Sequence, residues 1–198
     1  MAAAQMRWVV LDCESSGLDP RRDRLLSIGA VSVEHARIAL DSGHSVVLRQ
    51  DAASAADNIV IHGIAGSEQL GGMEAASALR AFEGYVAGAP LVAFHAAFDR
   101  SLLERAARAN QIPFRHVWLD LAALAPALYP ARAARCKALD DWLDAFGVES
   151  LARHDALGDA YATAQLFQIL LPEAARQGAA MLEELLVVAS GQRWLGGG

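Results

Sequence analysis

Three apolar, β-rich segments stand within the first 48 residues of the chain, separated only by short polar turns. They cover residues 8–12, 25–33 and 37–48, and the third contains Asp41-Ser-Gly43 as a bend or bulge. Parallel strands need crossover connections of about a dozen residues or more. Segments this close together are therefore predicted to pair as antiparallel neighbours, with residues 8–12 as a buried central strand.

After this start the chain changes to helices with at least one further strand, which we expect at residues 90–94. We expect Gly147 to cap one helix and Pro172 to stop another. The order predicts an α/β fold, a mixed sheet with helices packed on it. One domain over residues 1–172 would be followed by a C-terminal helix and flexible tail in 173–198. Helical spacing covers residues 73–87, 98–110, 118–128, 138–146, 155–170 and 173–190.

Composition narrows the class of protein. Hydrophobic residues make up 54% of the chain, enough for a sizeable core, and the formal net charge is −6. Proteins that coat nucleic acid are usually basic, but an enzyme that holds a few nucleotides through bound cations can be acidic. Two cysteines, Cys13 and Cys136, give neither a disulfide framework nor a zinc site. With neither a secretory signal nor a membrane-spanning segment in sight, we expect a cytoplasmic protein without membrane contacts.

Asp12 and Glu14 end the first strand and carry the first chemical signal. Alternation along a strand places residues i and i+2 on one face, so both carboxylates point the same way. Adjacent carboxylates repel unless a cation or a proton lies between them, and oxygen ligands suit Mg²⁺ or Mn²⁺. The alternative is a strand end that reaches solvent.

Asp99 follows the strand of residues 90–94, where ligand sites of open α/β sheets gather. The alternative is that Asp99 caps a helix that starts at Arg100.

Asp159 falls within a predicted helix among small and apolar neighbours, where a carboxylate is costly unless paired or metal-bound. His154 precedes that helix, and histidine can accept a proton from water near neutral pH. The alternative is a capping Asp155 with an incidental His154 and an exposed Asp159.

The ordered set of motifs resembles the DEDDh family of 3′→5′ exonucleases, over about residues 7–171. The motifs are Leu11-Asp-Cys-Glu-Ser-Ser-Gly-Leu-Asp19, Arg24-Leu-Leu-Ser-Ile-Gly-Ala30, Val92-Ala-Phe-His-Ala-Ala-Phe-Asp99 and His154 with Asp159. Two departures are Ser15-Ser16 where the family usually has Thr-Thr, and Phe94-His95 where a His-Asn pair is common. The resemblance implies a ribonuclease H-like fold, in which a five-stranded mixed sheet has three antiparallel strands followed by parallel additions.

The resemblance also implies a mechanism. Two divalent cations, Mg²⁺ or Mn²⁺, would be held by Asp12, Glu14, Asp99 and Asp159, with His154 as general base on the attacking water. The reaction would release nucleoside 5′-monophosphates from nucleic-acid 3′ ends, which we expect to be those of single-stranded DNA.

Substrate contacts are implied for Ser15, Ser16, Gly17 and Leu18, for His62 in Ile61-His-Gly-Ile64, and for His95. Leu18 either contacts the terminal base or packs the turn. Two other functions stay open, an RNA 3′-end-trimming exonuclease and a non-catalytic docking module of a polymerase or repair assembly. The sequence also leaves open a polymerase or repair partner and a homodimer.

Overall fold

The computed structural model describes residues 1–54, 59, 63–148 and 155–195. A mixed sheet lies at its centre, in the order β3-β2-β1-β5-β6, with β4 also paired to β2. The sheet therefore has five strand positions, as predicted, although six strands contribute to it. The strands are β1 (Arg7–Ser15), β2 (Leu25–Glu34), β3 (Arg37–Ile38), β4 (His44–Val47), β5 (Leu91–Ala93) and β6 (Trp118–Asp120).

The predicted antiparallel start is confirmed, but its third strand is divided in two. β3 and β4 both pair antiparallel with β2, through Val33↔Ile38 and Ala30↔His44. Between them the chain leaves the sheet, and the N–H of Ser32 donates to the Ser42 hydroxyl at 3.0 Å. A side chain thus takes the place of a strand carbonyl, which explains how the predicted bend interrupts pairing.

The two short strands β5 and β6 run parallel to β1 and to each other. The prediction of a helix over residues 118–128 is wrong for its first three residues, since Trp118–Asp120 pairs with Leu91–Ala93. Their carboxyl ends therefore meet at the same edge of the sheet as the end of β1.

Eight α-helices lie in the described part of the chain, together with a 3-10 helix at Ala3–Gln5. The expectation that Pro172 ends a helix is wrong, because Leu171 and Ala174 on either side of it are buried and hold the segment in place. Gly147 has a positive φ of 67° and caps its helix, as predicted. The helices are α1 (Gly66–Gly71), α2 (Ala75–Val86), α3 (Ala96–Ala109), α4 (Leu121–Leu128), α5 (Pro130–Ala133), α6 (Leu139–Phe146), α7 (Ala156–Arg176) and α8 (Leu182–Leu195).

Alternation along β1 divides the core into two layers. Trp8 and Val10 pack with α4, α6 and α7, whereas Val9 and Leu11 pack with α2 and α3 on the opposite face. Leu185 of α8 is buried in the same layer as α7, so the C-terminal helix shares that core. The division of the chain at residue 172 stays a prediction. No described helix is long and apolar enough to cross a membrane.

Candidate metal site and active site

Three carboxylates meet at the carboxyl end of β1. Asp12 and Glu14 lie on the strand face that Trp8 and Val10 also occupy, which is the face covered by α7. Asp159 comes from the first turn of α7. An oxygen from each of the three lies within 4.8 Å of the other two. The structure thus brings together residues that are far apart in the chain, and the alternative of an exposed Asp159 is wrong, because its exposed fraction is 8%.

Gly29 of β2 determines how closely α7 approaches the sheet. It pairs with Asp12 across the β1–β2 ladder. A Cβ at this position would lie 2.1 Å from the carbonyl carbon of Ala156 and 2.1 Å from the nitrogen of Leu157. The missing side chain is therefore what allows the start of α7 to rest on the sheet, and this contact carries Asp159 to Asp12.

Asp155 caps α7, and its side chain accepts a hydrogen bond of 3.0 Å from the N–H of Gly158. This cap sets the residue at which α7 begins, while the contact with Gly29 sets where that end of the helix lies on the sheet. The capping Asp155 of the alternative is therefore present, but it occurs together with a buried Asp159 and not with an exposed one.

The crowding of carboxylates has an electrostatic cost. Burial, followed by the charges of Asp159 and Asp155, raises the pKa of Glu14 from 4.5 to about 7. A divalent cation among these oxygens would reverse that cost, because it supplies the opposing charge. The donor set of three carboxylates is the chemistry that Mg²⁺ and Mn²⁺ prefer. The residues present therefore fit a hard divalent cation.

Asp99 lies beside this cluster and not among the three carboxylates that share it. It sits inside the first turn of α3, and His95 is the N-cap, so the alternative that Asp99 caps a helix is wrong. Its Oδ1 accepts a hydrogen bond of 2.9 Å from the backbone N–H of Cys13. Burial raises its pKa, and Asp120 raises it further, while the Cys13 hydrogen bonds act in the opposite direction. Whether Asp99 also binds metal remains a prediction.

The loop between β1 and β2 is held by Asp23. The Ser16 hydroxyl donates to Asp23 Oδ1 at 3.2 Å. A Cβ on Gly17 would lie 2.6 Å from the other oxygen of the same carboxylate. The carbonyl of Asp23 accepts a hydrogen bond from the Arg105 guanidinium on α3. The loop is thus tied to the helix that carries Asp99.

Within this loop the Ser15 hydroxyl donates to the carbonyl of Gly17 at 2.6 Å. Leu18 is 91% exposed. The alternative that Leu18 packs the turn is therefore wrong, and an apolar side chain projects freely beside the candidate site.

The three candidate histidines have different outcomes. His95 is exposed at the start of α3 with a φ of 62°, and its N–H donates to Asp120 Oδ1 at 3.0 Å. His62 and His154 both lie outside the described residues. Their predicted roles stay predictions.

Asp120 is a residue at this edge that the sequence reasoning missed. It ends β6 and caps α4 through a 3.0 Å hydrogen bond from the N–H of Ala122. Its charge raises the pKa of Asp99. A signal was available, since Val117-Trp-Leu-Asp120 repeats the pattern of Val9-Val-Leu-Asp12, a short apolar run that ends in aspartate.

Comparison with known proteins gives the same picture over most of the chain. A family model described as an exonuclease matches residues 9–167. The chain is 30% identical over 177 residues to a DNA polymerase III subunit epsilon-like protein of Rhodobacter capsulatus, which covers 88% of this chain and 25% of that protein. It is 28% identical over 179 residues to DNA polymerase III subunit epsilon of Escherichia coli, covering 84% of this chain and 72% of that one.

Several relatives are much longer than this chain. It spans 13% of the PolC-type DNA polymerase III of Thermotoga petrophila, to which it is 28% identical over 179 residues. Among solved structures, E. coli Exonuclease I in complex with a dT13 oligonucleotide superposes with a TM-score of 0.74 at 18% identity, covering 88% of this chain and 43% of that one. That likeness concerns the fold, and it confirms the predicted ribonuclease H-like arrangement.

Proposed function

Because the chain belongs to the DEDDh family of 3′→5′ exonucleases, we propose that it removes nucleotides from the 3′ end of single-stranded DNA. The products would be nucleoside 5′-monophosphates. The observation that carries the proposal is the cluster of Asp12, Glu14 and Asp159, whose oxygens lie within 4.8 Å of one another. A docking module would not need three clustered carboxylates, of which Asp159 is buried and Asp12 and Glu14 are half-buried, because such an arrangement without a cation is costly.

The cluster would hold divalent cations, two by resemblance to the family. When bound, Mg²⁺ or Mn²⁺ lowers the pKa of a water and neutralises charge on the phosphate. Asp12 and Glu14 present their carboxylates from one strand face, and Asp159 faces them from α7. Asp99 would complete the ligand set from α3. Its hydrogen bond to Cys13 already ties α3 to the strand that carries Asp12 and Glu14.

His154 would act as general base on the attacking water. It directly precedes Asp155, the N-cap of α7, so it belongs to the segment that leads into the helix bearing Asp159. Imidazole is half-protonated near pH 6.5, so it can accept a proton at neutral pH without prior activation.

The loop of residues 15–18 would bind the terminal nucleotide. Leu18 is 91% exposed, which suits an apolar contact with a base. Ser15 and Ser16 use their hydroxyls within the loop, so their backbone is held in place for a ligand. His95 stands at the adjacent strand end, and His62 would line the same pocket.

Relatives associated with DNA support single-stranded DNA as the substrate. The relatives include DNA polymerase III subunit epsilon of Escherichia coli and a subunit epsilon-like protein of Rhodobacter capsulatus, and the superposed Exonuclease I structure contains a dT13 oligonucleotide. The same names support a polymerase assembly as the partner of this chain. Hydroxyl contacts that would mark an RNA enzyme involve the 2′-OH, so a direct comparison of the two polymers decides the substrate.

The test uses matched DNA and RNA oligonucleotides labelled at the 5′ end. Native protein and Asp12→Ala are compared in Mg²⁺, in Mn²⁺ and in chelator. We expect DNA to shorten from its 3′ end only with metal and only with Asp12. If the RNA oligonucleotide is shortened faster than the DNA oligonucleotide, RNA and not DNA is the substrate. A rate for Asp12→Ala within a few-fold of the native rate would contradict the assignment of the site. If native protein shortens neither polymer, the chain is better explained as a non-catalytic docking module.

A further inference from the structure

Four of the chain's arginines stand close together in an otherwise acidic protein. Residues 100–115 contain Arg100, Arg105, Arg108 and Arg115, with Glu104 as the single acidic residue. The whole chain has a net charge of −6. This segment is therefore a local reversal of charge, and such a reversal marks a surface that attracts anions.

The helical positions place two of these four arginines on one face of α3. Arg100, Glu104 and Arg108 are spaced by four residues along α3, so they lie on one face of the helix. Leu102 and Leu103 on the opposite face are buried in the core. Arg105 leaves the row and donates to the carbonyl of Asp23 instead.

A groove of about 860 Å³ opens along this face, between α3 and the segment that leads into β6. Its basic members are Arg100, Arg108 and Arg115. Apolar residues also line the groove, among them Ile112, Pro113 and Val117, while Phe114 is largely buried at 9% exposure. Arginines beside apolar surface suit single-stranded nucleic acid, since arginines can contact phosphates and apolar surface can contact bases.

Glu104, which also lines the groove, offsets only one of its three arginines. Arg100 is paired with Glu104 at 2.7 Å. Arg108 and Arg115 are both exposed, and neither forms an ion pair with a carboxylate of the described residues. They therefore remain available to phosphate groups.

The groove begins beside the candidate active site. Arg100 directly follows Asp99, so the two share the first turns of α3 while they point in different directions. From Arg100 to Ala109, the last residue of α3, the helical rise amounts to roughly 14 Å. That length exceeds the size of one phosphate group, so the groove suits a chain of them leading away from the site.

We propose that this groove binds the phosphate backbone of the substrate strand upstream of its 3′ end, through Arg108 and Arg115. The proposal rests on the proposed function for the identity of the substrate. It assigns to α3 a second role, in which one end supplies Asp99 and the other end holds the strand.

The first test measures binding without hydrolysis. A fluorescent dT12 is titrated with Asp12→Ala protein, with and without Arg108→Ala/Arg115→Ala, at several salt concentrations. At low salt we expect the protein that also carries Arg108→Ala/Arg115→Ala to bind dT12 at least about tenfold more weakly than Asp12→Ala alone. Each lost phosphate contact should also reduce the slope of log K against log salt by about 0.7, so the pair should reduce it by about 1.4. An unchanged slope would overturn the proposal.

The matched control removes the same charge elsewhere. Arg37 on β3 and Arg80 on α2 are both exposed and lie outside the groove. Arg37→Ala/Arg80→Ala in the same background should leave the slope and affinity nearly as in the Asp12→Ala protein. An equal loss in this control would show a net-charge effect only and would overturn the proposal.

A 12-residue polyglutamate tests whether the groove prefers an acidic protein. If it binds as tightly as dT12, and Arg108→Ala/Arg115→Ala weakens its binding as much, the groove binds an acidic protein and the proposal is overturned.

The second test separates this proposal from the proposed function. A dinucleotide placed at the carboxylates would not extend to Arg115, whereas dT12 would. In otherwise native protein, Arg108→Ala/Arg115→Ala should raise KM for dT12 by about tenfold and leave dinucleotide hydrolysis unchanged. Equal effects on both substrates would overturn the proposal. If native protein hydrolyses neither, the proposed function fails, and the binding experiment still decides what the groove holds.

Discussion

The backbone N–H of Cys13 donates a 2.9 Å hydrogen bond to Oδ1 of Asp99, and so joins the end of β1 to the first turn of α3. The donor lies between Asp12 and Glu14 in sequence, and as a strand N–H it points sideways within the sheet rather than toward either face. Asp99 is therefore a structural acceptor whatever its role toward metal. The two roles can be separated by substitution.

Asp99→Asn keeps an acceptor for the Cys13 N–H, whereas Asp99→Ala leaves that buried donor without one. We expect Asp99→Ala to lower the free energy of unfolding by about 1–3 kcal/mol. Asp99→Asn should be at least as stable as native protein at pH 8, because it also removes a buried charge. Both should lose nuclease activity. Urea unfolding in chelator, with an activity assay alongside, measures the two effects. Equal stability of the two variants would show that the hydrogen bond contributes nothing.

Gly29→Ala should displace the start of α7, because the new Cβ would lie 2.1 Å from backbone atoms of Ala156 and Leu157. We expect a loss of more than about 2 kcal/mol in the free energy of unfolding, and loss of the stabilisation that Mn²⁺ gives. Gly84→Ala is the control, since it adds a Cβ on an exposed face of α2 with nothing within 4 Å. That change should stabilise by about 0.5–1 kcal/mol. A tolerated Gly29→Ala with full Mn²⁺ response would contradict the role given to this contact.

The stability of metal-free protein should fall as pH rises through 7. The folded-state pKa of Glu14 is raised from 4.5 to about 7, so folding favours its protonated form. Its contribution to stability is then fully present below pH 4.5 and is lost as pH rises through 7. Glu14→Gln should flatten this part of the curve. Melting temperatures in chelator between pH 5 and 8 measure it, and added Mn²⁺ should stabilise native protein more at pH 8 than at pH 6, since cations and protons compete for the same oxygens. If the melting temperature of Glu14→Gln falls with pH as steeply as that of native protein, groups other than Glu14 cause the pH dependence.

His154→Ala should lower kcat by about 10²–10⁴-fold, the usual contribution of a general base. The carboxylates remain, so Mn²⁺ should raise the melting temperature of this variant as much as that of native protein. His35→Asn is a suitable control, because His35 is exposed and its φ of 52° is one that asparagine tolerates. Activity of His154→Ala within a few-fold of native would remove His154 from the mechanism.

Leu18→Ser should raise KM for oligonucleotides several-fold and change kcat little. Leu18 is 91% exposed, so its replacement removes no core packing and the melting temperature should stay the same. Steady-state kinetics on dT12 and a thermal melt check both statements. A lower melting temperature with unchanged KM would show that Leu18 serves the loop and not the substrate.

Much of this arrangement could be predicted because it depends on local pattern. The alternation that puts Asp12 and Glu14 on one face needs only the sequence of β1, and the structure has both residues in the cluster. Asp159 could be suspected for a similar reason, since a carboxylate among small helical residues has few stable environments.

Other features depend on contacts between distant segments. β6 has three residues, too few to show a period, and is defined by its pairing with β5. Because residues 118–120 were predicted as helix, Asp120 was not predicted to lie at the end of a strand beside the site. Pro172 costs a helix about 3 kcal/mol or more, yet buried neighbours such as Leu171 keep α7 intact to Arg176. In each case tertiary packing overrides the local preference.

The division of the third strand at Ser42 also bears on how this protein behaves when crowded. An unbroken outer strand offers a row of backbone groups onto which a neighbouring molecule can add a strand of its own. Here that side of β2 is covered by pieces of two and four residues, Arg37–Ile38 and His44–Val47. A single serine hydroxyl turned toward Ser32 therefore shortens the template for aggregation, which favours a chain that stays dispersed at high concentration.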